Sequence, residues 1–298
     1  MAPTGHGYCL VMGKIRIGIS GWSYNEWKGG FYPDDLVEED HLAYAAKVFD
    51  TIEINGTFYS LTDPMTCRRW RDATPQGFQY AVKGSRYITH NKRLKDARSA
   101  LANFFASGVL DLGDRLGPIL WQLPQNLSFD GERLEGFLEM LPHDTEAAAD
   151  LAKDHDDRVE DVSYGPGARH RLRHALEIRH DSFLEPETAR MARRHGVALC
   201  SSHSSEWPYI EEVTAGFVYL RLHGPRKLYA SQYSDSDLDR WADRIEIWNS
   251  GGEPDDAERI SDLEPPSRQG RDVYVYFDNT AHGHAPEDAQ RLMERISE

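Results

Sequence analysis

The sequence predicts an α/β protein built as a single (β/α)8, TIM-barrel-like domain. Three observations lead to this fold class: short β-branched or aromatic runs alternate with helical stretches, eight such runs occur within 298 residues, and polar residues follow most of them. A closed barrel fits eight repeats better than an open doubly wound sheet, because closure removes both edge strands. The open sheet stays as the alternative, although no Gly-x-Gly-x-x-Gly pattern follows the first strand.

The predicted strands are short apolar runs bounded by turn-forming or helical segments. In chain order they cover residues 15–19, 51–54, 79–82, 119–123, 175–178, 197–200, 217–222 and 273–277. Such runs, each followed by a helical stretch, are typical of a parallel sheet.

Helices are predicted between these strands. Residues 36–49 and 99–109 carry apolar side chains at helical spacing, and residues 132–141 run up to a terminating Pro142. Ser234 and Asp237 form a capping-box pattern at the start of a further helix. Pro286 opens the last one, since proline is accepted in a first helical turn.

The chain is expected to comprise an N-terminal extension, residues 1–13, and one barrel domain, residues 14–298. Two acidic surface insertions, approximately 143–173 and 251–271, interrupt the rhythm of strands and helices. Between residues 143 and 161, eight acidic side chains oppose Lys153 and Arg158, and between residues 253 and 264, six oppose Arg259. We expect both insertions to be exposed and partly disordered.

Composition indicates a cytoplasmic protein. The sequence has no long uncharged apolar run and no secretory pattern at its start, so neither membrane association nor secretion is expected. The three cysteines are widely spaced and are expected to be reduced thiols. A net charge of -15 argues against nucleic-acid binding, but residues 83–98 hold six Lys and Arg against Asp96 alone.

Polar residues at the carboxyl ends of the strands are the main functional signal. Residues two positions apart share one face of a strand, and in a barrel a charged face points to the lumen or its mouth, where active sites lie. In chain order these residues are Glu53 with Asn55, Lys83, Gln122, Glu177 with Arg179, Arg221 with His223, and Tyr276 with Asp278. They form either a ligand site or a buried ion-pair network.

No cofactor is predicted. Glu53, Glu177, His223 and Asp278 have the ligand types of a hard-metal site, so a divalent metal is a minor alternative. The His282-Gly283-His284 segment is another, but His-x-His on a loop without placed carboxylates is more often a solvated turn.

Several segments together resemble the YecE-like family of "domain of unknown function 72". They include Gly18-Ile19-Ser20-Gly21-Trp22, Thr51-Ile52-Glu53-Ile54-Asn55-Gly56-Thr57-Phe58-Tyr59, Glu177-Ile178-Arg179-His180, Tyr219-Leu220-Arg221-Leu222-His223-Gly224 and Tyr276-Phe277-Asp278-Asn279. The resemblance covers nearly the whole chain in order, and it implies a TIM-barrel-like fold with no established activity. The chain differs from the family pattern at Gln125, His203 and Asp288.

The favoured function is an enzyme that binds a small anionic substrate, phosphorylated or carboxylated, at the carboxyl-terminal mouth of the barrel. Glu53 and Glu177 would act as general base and acid, as in a hydrolase or isomerase with paired carboxylates, and Asp278 and His223 would orient them. The predicted substrate-binding residues are Trp22, Asn55, Tyr59, Lys83, Arg86, His90, Gln122, Arg179, Arg221 and Asn279.

Two alternatives stay open. In the first, Arg86, His90, Lys92 and Arg93 extend a basic mouth along a phosphodiester backbone, and Trp22 stacks on a base. In the second, the barrel binds a small ligand or serves a structural role without catalysis. The sequence does not indicate an oligomeric state.

Overall fold

Nine parallel strands form the sheet of the computed structural model, which describes residues 12–266 and 270–297. They are β1 (Ile15–Ser20), β2 (Thr51–Ile54), β3 (Gln79–Lys83), β4 (Leu116–Gln122), β5 (His174–Glu177), β6 (Ala198–Leu199), β7 (Ser201–His203), β8 (Phe217–Leu222) and β9 (Asp272–Phe277). Most of the predicted extension, residues 1–11 with Cys9, lies outside the described residues.

The strands close into a barrel through one divided strand. Their order is β6-β5-β4-β3-β2-β1-β9-β8-β7, so the first and last members are consecutive pieces of residues 198–203. The first piece pairs with β5 and the second with β8, while the Cys200 amide between them donates to the Leu176 carbonyl. The predicted TIM-barrel-like fold is thereby confirmed, with the sixth predicted strand split in two.

Nine α-helices accompany the strands within the described residues. They are α1 (His41–Val48), α2 (Gly56–Tyr59), α3 (Pro64–Asp72), α4 (Arg98–Ala106), α5 (Gly131–Glu139), α6 (Thr145–Ala152), α7 (Pro186–Arg194), α8 (Asp235–Asn249) and α9 (His284–Ser297). The capping box of Ser234 and Asp237 opens α8 as predicted. The sequence did not predict α3 and α7, whose first residues are Pro64 and Pro186.

The buried apolar residues form two separate clusters. The larger one joins the outward faces of the strands, such as Ile52 and Val82, to the helices. The smaller one fills the lumen with residues of the opposite parity, including Ala81, Tyr219 and Tyr276. Since side chains alternate along a strand, the parity of the lumen cluster continues to polar residues near the carboxyl ends of the strands, such as Lys83, Gln122 and Glu177.

The two acidic segments are not confirmed as exposed insertions. Residues 143–173 contain α6, which packs on α4 and buries Ala148 and Leu151. Part of 251–271 is anchored by buried carboxylates of a neighbouring loop, since Glu212 accepts hydrogen bonds from the amides of Ile260 and Ser261. Residues 267–269 lie outside the described residues. Within the described residues, the first acidic segment is therefore attached to the barrel by apolar packing and the second by hydrogen bonds to a buried carboxylate.

Candidate functional site

Arg221 lies at the centre of a buried charged layer at the carboxyl end of the lumen. Its Nη2 is 2.7 Å from Glu53 Oε1 and 2.9 Å from Asp278 Oδ2, and its Nη1 is 2.9 Å from Glu177 Oε2. The Arg221 side chain has no exposed surface. We use the name charged layer for Glu53, Lys83, Glu177, Arg179, Arg221, His223 and Asp278.

Strand register explains why these residues meet. Arg221 on β8 is level with Ser202 on β7 and Tyr276 on β9. Glu53 on β2 is level with Ser20 on β1, and Glu177 on β5 with Gln122 on β4. Every one of these positions has the parity of the lumen, so their side chains project into the same end of the barrel.

Both buried glutamates have their oxygens occupied. Glu53 accepts from Arg221 Nε at 3.1 Å and from the Tyr219 hydroxyl at 2.7 Å on Oε2, while Oε1 accepts from Arg221 and Ser20. Glu177 Oε1 accepts from Arg179 at 2.9 and 3.0 Å. Carboxylates that accept this many hydrogen bonds hold the donating guanidinium groups in place.

The charged layer balances its own charge. Burial alone would raise the pKa of Glu177, but Arg179 and Arg221 outweigh it and hold that pKa well below the ordinary value. Burial opposes ionisation of Asp278 in the same way, and Arg221 likewise lowers its pKa. The carboxylates of Glu53, Glu177 and Asp278 face the cations of Lys83, Arg179 and Arg221.

Asp278 is the least enclosed carboxylate of the layer. Its Oδ2 accepts from Arg221 and lies 3.0 Å from His223 Nδ1, at an angle that does not satisfy hydrogen-bond geometry. The side chain keeps 12% of its surface exposed, whereas those of Glu53 and Glu177 keep none. No described residue donates a hydrogen bond to its Oδ1. This oxygen is therefore available to a ligand.

A cleft of about 590 Å³ lies over one side of the layer. We call it the mouth cleft; the residues that line it include His90, Arg93, Asn126, Arg179, Glu206, Trp207 and Tyr229. Arg179 joins cleft and layer, because its guanidinium binds Glu177 and lies 3.9 Å from the centre of the Trp207 ring. Trp207 also donates to Ser202 Oγ, and Ser202 donates to Glu177.

Arg93 brings an un-neutralised positive charge to the mouth cleft. Its guanidinium donates at 3.0 Å to the side-chain oxygen of Asn126 and at 2.7 Å to the backbone carbonyl of the same residue. Both acceptors are neutral, and no described carboxylate forms an ion pair with Arg93. The guanidinium is therefore held in position by neutral acceptors.

The loops that form the cleft have unusual backbone geometry. Residues Tyr87–Asn91 form a π-helical turn, and Arg93 and Leu94 follow it with φ values of 53° and 67°. Across the cleft, Tyr229 has a φ of 61°. Left-handed backbone at residues other than glycine costs free energy and is enriched at ligand sites.

Lys83 and His90 share one aromatic neighbour beside the cleft. Lys83 Nζ lies 4.5 Å from the centre of the Phe58 ring, and the imidazole of His90 is 5.1 Å from that ring. Burial, with a smaller effect of Arg179, lowers the pKa of His90 to about 4. Burial and the Arg221 charge lower the pKa of Lys83 to about 8. His90 is therefore neutral near pH 7.

Two amides of the predicted site have unpaired oxygens. Gln122 Oε1 and Asn55 Oδ1 are enclosed and have no hydrogen-bond partner among the described residues. Asn55 Nδ2 donates to Ser20 Oγ at 3.0 Å. Unpaired buried acceptors are costly, and a bound hydroxyl or water would satisfy them.

Four predicted substrate-binding residues lie apart from the layer or on its rim. Trp22 packs edge-on against Trp70 at 5.6 Å. Tyr59 is 69% exposed, and Arg86 is also exposed. Asn279 donates to Asp288 at 2.8 Å and to a backbone carbonyl, so it supports the loop after β9.

Trp207 and Tyr229 line the mouth cleft but were not predicted from the sequence. Both lie on loops without local periodicity, and only their aromatic character marks them. Tyr219 and Ser20 were also missed as partners of Glu53. Their lumen parity on β8 and β1 was the signal that could have identified them.

The described residues contain no group of three or more His, Cys, Asp or Glu side chains arranged to hold a metal ion. The imidazoles of His282 and His284 have ring centres 5.8 Å apart. None of the described helices is long and apolar enough to span a membrane.

Fold and site together define a (β/α)8-barrel protein whose lumen ends in a buried charged layer beneath a polar cleft. The chain belongs to the family described as "Protein of unknown function DUF72", whose model matches residues 16–298. The resemblance seen in the sequence motifs is thereby confirmed.

Proteins of two bacteria are similar to this chain in sequence. The UPF0759 protein YunF of Bacillus subtilis is 21% identical over 315 residues, covering 95% of this chain and 94% of that protein. The UPF0759 protein YecE of Escherichia coli is 28% identical over 131 residues, covering 43% of this chain and 44% of YecE. The match to YecE thus spans less than half of either protein.

Solved structures of the family share the fold. A DUF72 family protein from Thermotoga maritima superposes with a TM-score of 0.71 at 25% identity, covering 96% of this chain and all of that one. One from Enterococcus faecalis gives a TM-score of 0.68 at 15% identity, covering 95% and 96%.

Proposed function

We propose that this protein is an enzyme that binds a small anionic substrate, phosphorylated or carboxylated, in the mouth cleft. The observation that carries the proposal is the Arg93 guanidinium, held by neutral acceptors on Asn126 and not neutralised by a described carboxylate. A guanidinium forms stronger hydrogen bonds with an anion than with neutral acceptors, so an anion in the cleft would be favoured. The protein has a net charge of -15. A positively charged side chain held at a cleft of such a protein would attract anions to that cleft.

The hydrogen bonds that each side chain of the charged layer already forms indicate its role in this proposal. Glu53 and Glu177 have their oxygens occupied and act as the frame that holds Arg221 and Arg179. Arg221 is fully enclosed and serves the same frame. Asp278, whose carboxylate is partly exposed and is kept ionised by Arg221, is the candidate base.

Phosphate binding tests the proposal. Isothermal titration calorimetry with inorganic phosphate and with oxalate should show saturable binding to the wild-type protein. Arg93→Met should weaken that binding by about tenfold, the effect of losing about 1.4 kcal/mol. Arg98→Met is the matched control, because Arg98 belongs to the same basic run but is neutralised by Asp154 at 2.7 Å.

Two results would overturn the proposal. One is the absence of binding of either anion, and the other is equal loss of affinity in both arginine variants. Tight, steeply salt-dependent binding of a single-stranded oligonucleotide, with no phosphate binding, would favour a nucleic-acid function instead.

A further inference from the structure

Lys83 is a buried lysine without an ionic partner. It ends β3 with lumen parity and keeps 8% of its surface exposed. No described carboxylate lies within 4.0 Å of its Nζ, although three carboxylates belong to the same layer. A buried lysine is usually paired, so its isolation needs an explanation.

The explanation lies in competition for the carboxylates. Arg221 donates to Glu53, Glu177 and Asp278, and Arg179 adds two bonds to Glu177. The Lys83 ammonium is instead placed over the Phe58 ring, 4.5 Å from its centre. Lys83 Nζ is not among the polar atoms of the described residues that are both fully enclosed and without a hydrogen-bond partner. The amine therefore keeps contact with solvent.

Charged groups on three strands and one following loop surround this amine. Arg221 on β8 disfavours the ammonium form, whereas Glu53 on β2, Glu177 on β5 and Asp278 after β9 favour it. Burial is the largest effect, and the pKa of Lys83 is about 8 as a result. The neutral, nucleophilic amine therefore makes up about half of the population near pH 8 and about a tenth near pH 7.

We infer that Lys83 forms an imine with the carbonyl group of an anionic oxo compound, such as a 2-oxo acid or a phosphorylated ketose. The inference rests on the proposed function, because the anion would be held in the mouth cleft. Lys83 does not line that cleft itself, but its Nζ lies over the Phe58 ring that also contacts His90, a residue of the cleft wall. The ammonium gives up one proton, and its nitrogen adds to the carbonyl carbon. The carbonyl oxygen takes a proton from the adding nitrogen and becomes a hydroxyl. This hydroxyl takes up the proton that the ammonium released, and the carbon–oxygen bond breaks as water leaves. The product is a protonated imine, and no oxidant or further reactant is required.

Borohydride trapping tests this inference. The full chain is incubated with pyruvate or dihydroxyacetone phosphate and then reduced with sodium borohydride, with uncharged acetone as the matched probe. Peptide mapping should place one adduct on Lys83 with the anionic probes and at least about tenfold less with acetone. Lys83→Arg should abolish the adduct, while Lys95→Arg, which changes an exposed lysine in the segment that follows β3, should keep it.

A second measurement on the wild-type protein covers the case in which Lys83→Arg does not fold. Competitive acetylation over about pH 6 to about pH 11 yields the titration midpoint of each lysine. A midpoint near 8 is expected for Lys83, and a midpoint near the ordinary 10.5 would defeat the inference. So would the absence of an adduct, or adducts spread over exposed lysines such as Lys153.

The two proposals fail in distinguishable ways. Saturable phosphate binding without an adduct at Lys83 removes only the imine. If the wild-type protein binds neither phosphate nor oxalate, the proposed function itself is wrong.

Discussion

Arg221 and Glu53 form a two-point contact between fully buried side chains that are 168 positions apart in the chain. The planar guanidinium matches both carboxylate oxygens and still reaches Glu177 and Asp278. Such a fork cannot be reproduced by an ammonium group. The contacts of Arg221 on β8 therefore join it to residues on β2, on β5 and directly after β9 at the carboxyl end of the barrel.

Replacing Arg221 with Met should destabilise the protein strongly. The change leaves three buried carboxylates without their shared cation, and breaking a buried pair in this way costs about 3 to 5 kcal/mol. Urea denaturation measures the free energy of unfolding. Arg98→Met, at a pair whose side chains are 64% and 51% exposed, should cost no more than about 1 kcal/mol. Similar losses in both variants would contradict a special role for the buried layer.

Stability should fall in acid. The pKa values of Glu177 and Asp278 are lowered in the folded protein from 4.5 and 3.8, so their contribution is fully present above these ordinary values. It is lost as the pH falls below about 4.5 towards the folded-state pKa values, at about 1.4 kcal/mol for each unit of difference. Urea denaturation at pH 7 and pH 3 checks this.

Because both carboxylates are buried, the acid effect should persist in about 0.5 M salt, where exposed pairs are screened. Equal stability at pH 7 and pH 3 would show that the layer does not depend on ionised Glu177 and Asp278.

His90 should titrate with a midpoint near 4, which NMR of its imidazole protons can measure. Between about pH 6.5 and 4 the unfolded chain binds the proton more readily than the folded protein, so His90 lowers stability as the pH falls through that window. Saturating phosphate should raise the midpoint, because an anion in the cleft favours the imidazolium. A midpoint near 6.5, unchanged by phosphate, would contradict the burial of His90 at the cleft.

Gly84→Ala should destabilise the barrel, whereas Gly136→Ala should not. A Cβ at Gly84, next to Lys83, would lie 2.3 Å from the Trp121 ring, but one at Gly136 meets nothing within 4 Å. Gly136 lies inside α5, where alanine is favoured by about 0.5 to 1 kcal/mol. Gly84→Ala should lower the midpoint temperature of thermal unfolding, and Gly136→Ala should raise it. A neutral Gly84→Ala would show that Trp121 moves freely.

The strands were predictable because their apolar runs are short and bounded by polar segments. The start of β4 was missed by three residues, since Gly117 and Pro118 argue against a strand. The helices α3 and α7 were missed because their exposed faces are rich in arginine, which hides the apolar spacing. A polar helix of this kind is fixed by tertiary packing.

The positions of the charged layer were predictable from the alternation of side chains along the strands. The hydrogen bonds within the layer were not. Alternation along the strands places Glu53, Glu177 and Arg221 in the lumen, but it does not show which oxygens are already bonded. Trp207 and Tyr229 reach the cleft from irregular loops, where no repeating pattern constrains position.

The apolar cluster in the lumen has a kinetic consequence. Tyr219, Tyr274 and Tyr276 fill the barrel below the charged layer, and none of them is exposed. Whatever occupies the mouth cleft must arrive and depart on the same side of the molecule. A reaction product would thus have to leave before the next substrate enters, and product added from outside would compete directly with substrate for entry.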